Sequence, residues 1–195
     1  DLSAFWKTEN NPDVVDSLEP VINAPIEAEI GKDGSRGIKV SSFSSANGNG
    51  ITDSWAAQFF IAVPEQLYEG TSYKVKFDYR ASQEQTAETQ AHKNPGNYNW
   101  YSMIGNPAFT TDWQTYEKSG KLDGNQANGY FQSVAFNLHI NKDEQVDYYF
   151  DNIYFYVQNN DLLPQCSGEV VLMHMARPNN ISTLVAAGGK KRLIL

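Results

Sequence analysis

Residues 90–101 read Gln-Ala-His-Lys-Asn-Pro-Gly-Asn-Tyr-Asn-Trp-Tyr, a segment that gathers two tyrosines, a tryptophan, an imidazole and several amides around a Pro-Gly turn. Flat aromatic rings beside fixed amides suit a ligand that presents C–H faces and a rim of hydroxyls, which is the chemistry of a sugar chain. Loops are where exposed aromatics most often signify binding. Trp100 is therefore read as a ligand contact, Gln90 as a carbohydrate-binding candidate among the loop's amides, and His92 either as a donor to sugar hydroxyls or as a loop hydrogen bond. Tyr98 is read either as a second aromatic contact or as a hydroxyl that ties the loop down. Fully burying an aromatic side chain removes about 150–250 Å² from water, on the order of 4–6 kcal/mol at ~25 cal/mol/Å² before ordering costs. Two such platforms, partly covered, suit millimolar to micromolar affinity, roughly −4 to −8 kcal/mol.

Four further candidates come from strand alternation. Gln58 and Phe60 fall on one face of the segment 55–63, Arg80 on the polar face of 73–80, and Asn137 on the outward face of 133–140. If those strands neighbour one another in one sheet, Gln58, Arg80 and Asn137 form a polar cleft floor; otherwise each is a solvated surface residue, with Arg80 paired to Asp78 or Glu84. Trp55 and Trp113 read first as packing residues, because sandwiches also need large aromatics inside, and Trp55 is kept as a candidate for the binding surface.

Metal and catalytic constellations are weaker. His92, His139 and His174 lack ligand spacing, which argues against zinc. Asp151-Asn152 lies in an apolar strand, where an unpaired charge is costly, so Asp151 needs a cation such as calcium, a backbone donor or an Arg contact. Glycoside hydrolysis needs two carboxyls facing one another across a cleft; Glu84, Glu88 and Asp78 could approach one region, but no pair stands out. The Gly-x-Ser-x-Gly nucleophile signature is missing.

The elements that must position these residues are strands. In residues 73–80, Tyr73, Val75, Phe77 and Tyr79 share one face and Lys74, Lys76, Asp78 and Arg80 the other. In 133–140, Val134, Phe136, Leu138 and Ile140 turn inward. In 55–63, Trp55, Ala57, Phe59, Ile61 and Val63 face the core, and Pro64 ends the strand. Further strands are expected at 26–30, 37–42, 113–119 and 148–157, the last apolar enough to be central. Many short antiparallel strands predict an all-β sandwich. The polar stretches 41–50, 83–99 and 121–128 are expected as loops at its rim.

The chain has 195 residues, a length that makes one domain the starting expectation. Its net charge of −8 is uneven: residues 159–195 carry +2, which leaves −10 on residues 1–158. A body this acidic repels phosphate backbones, which makes nucleic acid and anionic membranes poor candidate partners. Cys166 is the single cysteine, so no disulfide framework forms within the chain. The opening residues lack the basic start and apolar stretch of a signal peptide, no run approaches a membrane span, and a secreted form would need a leader from elsewhere. The domain boundary is expected near residue 158, with 159–195 a C-terminal tail or the start of a neighbouring domain.

Together, residues 53–61, 73–81, 89–92 with Pro95-Gly96-x-Tyr98, 110–116, 135–138 and 149–153 resemble carbohydrate-binding modules of the family 4 and 9 type. More narrowly, they resemble the modules inserted in family 10 xylanases of gut Bacteroidetes. The likeness covers roughly residues 20–157. It implies a jelly-roll β-sandwich of the galactose-binding-domain-like kind that binds xylan or a related β-linked glycan without catalysis. The resemblance also implies a structural calcium, with Asp151 standing where the family has its last-strand Asp, an attached catalytic domain, and a secreted or cell-surface bacterial location. The usual Asn-Gly-x-Phe-Glu opening is absent, and the tail after residue 158 has no counterpart. The alternatives are a jelly-roll glycan hydrolase or lyase, marked by a carboxylate pair in a cleft, and a structural or protein-interaction domain whose aromatics are core.

Overall fold

Alternating apolar residues drive two sheets together. The computed structural model describes residues 2–8, 22–46, 50–99, 101–123, 129–158, 174–177, 180–187 and 190–194. The chain divides into two units, Asp1–Asn159 and Asn160–Leu195. In the first, the strands are β1 (Ser3–Thr8), β2 (Ile22–Asn23), β3 (Ile26–Glu27), β4 (Gly37–Ser41), β5 (Ala57–Tyr68), β6 (Ser72–Ala81), β7 (Gln85–Thr86), β8 (Glu88–His92), β9 (Ala108–Phe109), β10 (Gln114–Lys121), β11 (Tyr130–Asn137) and β12 (Asp147–Gln158).

Sheet one has the order β2-β1-β5-β11-β8 and sheet two the order β10-β6-β12-β4-β3, while β7 and β9 form a separate pair. Every pairing is antiparallel. The fold is an all-β jelly-roll sandwich. Its core is aromatic: Phe59 of β5 stacks on Phe150 of β12 at 4.1 Å, and Phe136 of β11 meets Phe77 of β6 edge to face at 5.4 Å. These residues occupy the inward positions of their strands, so the period-2 pattern becomes the inter-sheet contact.

Four expectations need correction. Trp55 does not face the core, because residues Ser54–Ala56 form a 3₁₀ turn before β5 begins; its side chain is 48% exposed. Pro64 does not end β5, which continues to Tyr68. The ladder to β11 loses register between Phe131 and Ser133, so the proline sits where no N–H is required, and its carbonyl accepts from Gln132 Nε2 at 3.0 Å. The stretch 83–99 is not all loop: it contains β8, whose core-facing positions are the small residues Thr89 and Ala91. The strand expected at 133–140 ends at Asn137, with Leu138 and His139 buried beyond it.

The second unit contains β13 (His174–Arg177), β14 (Asn180–Ala187) and β15 (Lys190–Ile194), a three-stranded antiparallel sheet in sequence order. Cys166 and residues 159–173 lie outside the described residues. Among the described residues, no helix is long and apolar enough to cross a membrane.

Candidate functional site

The face of sheet one turned away from the core is built from three cross-strand rows. Lys7, Gln58, Asn137 and Glu88 lie side by side across β1, β5, β11 and β8; Phe5, Phe60, Ala135 and Gln90 form the next row; Ser3, Ala62, Ser133 and His92 form the third. This register follows from the core pattern. Once Phe59, Ile61, Val134 and Phe136 turn inward, the residues between them must turn outward.

The first row is wired by hydrogen bonds. Gln58 Nε2 donates to Asn137 Oδ1 at 2.8 Å, and Asn137 Nδ2 donates to Glu88 Oε2 at 3.2 Å. These bonds fix both amides, and Gln58 Oε1 and Glu88 Oε1 are not consumed by them. Phe60 of the second row is fully buried, so it supports the floor as packing and leaves the polar contacts to its neighbours.

A cleft of about 400 Å³ opens over this floor, lined by Lys7, Trp55, Gln58, Gln90, His92, Gly96 and Tyr98. Trp55 and Tyr98 each keep about half their surface exposed, 48% and 53%. The position of Tyr98 comes from the turn after β8. Lys93 N–H donates to the Asn97 carbonyl and Asn97 N–H to the Asn94 carbonyl, with Pro95 and Gly96 between them, and Gly96 adopts φ +84°. The chain then returns so that Tyr98 bridges to His92 and its ring meets the imidazole edge-on at 5.7 Å. Burial and the Glu88 charge push the Tyr98 hydroxyl pKa up, so it stays a neutral donor and acceptor.

His92 is 2% exposed, and neither ring nitrogen has a hydrogen-bond partner; Ser133 Oγ, directly opposite on β11, is also buried without one. Burial, together with the Lys7 charge, pushes the His92 pKa down to about 4, which keeps the imidazole neutral near neutral pH. Buried polar atoms without partners are rare and each calls for an explanation. Here three such atoms, on the neighbouring residues His92 and Ser133, lie at one end of a cleft floor.

Of the residues expected from sequence, the structure brings together Trp55, Gln58, Gln90, His92, Tyr98 and Asn137, with Phe60 beneath them. Trp100 lies outside the described residues. Arg80 does not join them. Its strand β6 belongs to sheet two, where the guanidinium lies 3.8 Å over the Tyr149 ring and 5.4 Å from that of Trp113. Its polar face is the opposite outer surface of the sandwich. Sequence reasoning missed Lys7, Gly96 and Ser133. Ser133 was open to inference from its two-residue offset from Ala135 and Asn137, whereas Lys7 reaches the cleft only through the β1–β5 pairing.

The carboxyls considered for hydrolysis are dispersed. Glu88 sits at the floor's edge, Glu84 is exposed, and Asp78 lies in sheet two. Among the described residues the cleft lining contains no carboxylate pair. Asp151, also in sheet two, accepts from Lys32 N–H at 2.9 Å, Ser35 Oγ at 2.5 Å and its neighbour Asn152 N–H at 2.7 Å.

No protein-family model and no curated protein sequence matches the chain. Solved structures do. A carbohydrate-binding module described as CBM4 aligns over 80% of this chain and 94% of its own, at 13% identity and TM-score 0.50. The N-terminal cellulose-binding domain of Cellulomonas fimi β-1,4-glucanase C covers 81% and 89%, at 13% identity and TM-score 0.48. The CBM22-1 xylan-binding domain of Paenibacillus barcinonensis Xyn10C covers 69% and 80%, at 8% identity and TM-score 0.46. At these identities the likeness is one of fold.

Proposed function

We propose that this chain is a non-catalytic carbohydrate-binding module that holds a β-linked plant polysaccharide in the cleft between Trp55 and Tyr98. The observation that carries the reading is that cleft itself: two half-exposed aromatic walls over a floor of pre-oriented amides, with buried polar atoms of His92 and Ser133 still unpartnered. The rings supply apolar contact to sugar faces, and Gln58, Gln90 and Asn137 supply hydrogen bonds to hydroxyls. Amides fixed by one another before binding lose little further entropy when a ligand arrives. The function needs no chemistry at the site. An attached glycoside hydrolase, secreted or held at the cell surface, would gain local concentration on its substrate.

Xylan is the favoured ligand because the sequence motifs resemble those of xylanase-associated modules. The test is affinity electrophoresis in gels containing xylan, β-glucan or mannan, with the wild type beside Trp55→Ala and Tyr98→Ala, each checked by circular dichroism. Retardation by xylan that both folded variants lose is the expected result. Migration unchanged by every polysaccharide would remove this reading.

A further inference from the structure

Asp78 of β6 and Asp151 of β12 are directly paired across sheet two. Like charges in opposed strand positions repel, so this pair requires a counter-charge. A divalent cation is one solution, and it is the one implied for Asp151 by the family resemblance. The structure offers a different one.

Lys32 reaches Asp78 with its ammonium, Nζ to Oδ1 at 3.2 Å, and its backbone N–H donates to Asp151 Oδ2. One residue thus holds both carboxylates. Every carboxylate oxygen of the pair accepts from the chain: Thr115 Oγ1 also donates to Asp78 Oδ1, Asn152 Nδ2 to Asp78 Oδ2 at 2.9 Å, Ser35 Oγ to Asp151 Oδ2 and Asn152 N–H to Asp151 Oδ1. Burial alone would raise the Asp78 pKa, but the bonds from Thr115, Asn152 and Lys32, with the Lys32 charge, outweigh it and hold the carboxyl below its usual value.

The backbone is shaped for this arrangement. A Cβ at Gly31 would stand 2.7 Å from Asp151 Oδ2 and 2.6 Å from the Arg36 carbonyl, so only glycine lets the loop approach so closely. Asn152 adopts φ +47° where the β6–β12 register shifts, which turns both its N–H and its side-chain amide toward the two carboxylates.

A calcium site needs about six to eight converging oxygens. Around Asp151 the approaching groups are N–H and O–H donors, and among the described residues no group of three or more His, Cys, Asp or Glu side chains gathers anywhere. The residues present do not fit that ion. We infer that Lys32 is the built-in counter-cation of the Asp78–Asp151 pair, and that this module folds and holds its fold without a bound divalent metal. The inference is independent of what the cleft binds.

Thermal unfolding of the full chain tests it with three arms: excess EDTA, excess calcium after EDTA, and the variant Lys32→Met in both. A ligand that binds only the native state raises Tm with its concentration. Wild type should unfold at the same temperature in EDTA and in calcium, and Lys32→Met should unfold at least about 3 °C lower. A wild-type Tm that falls in EDTA and returns with calcium would overturn the inference, as would a Lys32→Met Tm equal to wild type. If Lys32→Met fails to fold, the wild-type arms still decide the metal question, and Lys32→Arg, which keeps the charge, should then fold where Met does not; an unfolded Arg variant would count against the counter-cation role.

Discussion

The two outer faces of the sandwich use polar residues in opposite ways. On sheet two, all four carboxylate oxygens of Asp78 and Asp151 accept hydrogen bonds from the chain itself. On sheet one, Gln58 and Asn137 are steadied by one another, yet His92 and Ser133 keep buried polar atoms without partners beneath half-exposed aromatics. The first face spends its polarity on the fold. The second leaves some of it unpaired within the chain, at a cost in stability.

Removing a carboxylate from sheet two should have the largest effect on stability. Asp78→Ala leaves Lys32, Thr115 and Asn152 without their acceptor and should cost about 2–3 kcal/mol, measured by chemical denaturation, with xylan affinity unchanged. Lost affinity in a folded Asp78→Ala protein would break the contrast between the faces.

Acid sharpens the contrast. His92 has a folded pKa of about 4, below its usual 6.5, so the unfolded chain binds the extra proton first. Its contribution is therefore complete above pH 6.5 and declines as pH falls toward 4, by about 3 kcal/mol at most. The carboxyls of Asp78 and Asp147, both held low, lose their contribution only as pH falls further, below the ordinary Asp value. His92→Phe should reduce the loss between pH 6.5 and 4, leaving the part due to His139, whose pKa burial also pushes down, while the more acidic loss remains. A denaturation series across this range that shows the same decline in His92→Phe and wild type would refute the assignment.

Tyr98→Ala removes an exposed ring, so it should leave stability within about 0.5 kcal/mol while weakening glycan binding tenfold or more, about 1.4 kcal/mol. The smallest effect belongs to Ser133→Ala. Deleting an unpartnered buried hydroxyl should leave stability unchanged or raise it by up to about 1 kcal/mol, measured by chemical denaturation. A destabilised Ser133→Ala protein would show that the hydroxyl serves the fold.

Strand alternation makes much of this architecture legible in the sequence. The segment expected at 73–80 is β6, at 72–81, and its inward Val75 and Phe77 are fully buried. Alternation reports which face a residue occupies, but not which sheet its strand joins. Arg80 and Asn137 both point away from the core, on opposite sides of the sandwich. Trp55 was misplaced for a related reason, because a 3₁₀ turn breaks the period two residues before β5. The strand β8 escaped notice because its inward residues are Thr89 and Ala91, too small and too weakly apolar to stand out against Glu88, Gln90 and His92. The turn at Pro95-Gly96, by contrast, was plain from its residue types, and it is what returns Tyr98 over His92.

The most direct test of the two-face account is an NMR titration of labelled protein with xylan oligosaccharides. The account predicts shifts centred on Gln58, Gln90, His92, Tyr98, Ser133 and Asn137, including the imidazole signals of His92, with Asp78, Asp151 and Lys32 unmoved. Shifts centred on sheet two, or none at saturating oligosaccharide, would contradict it.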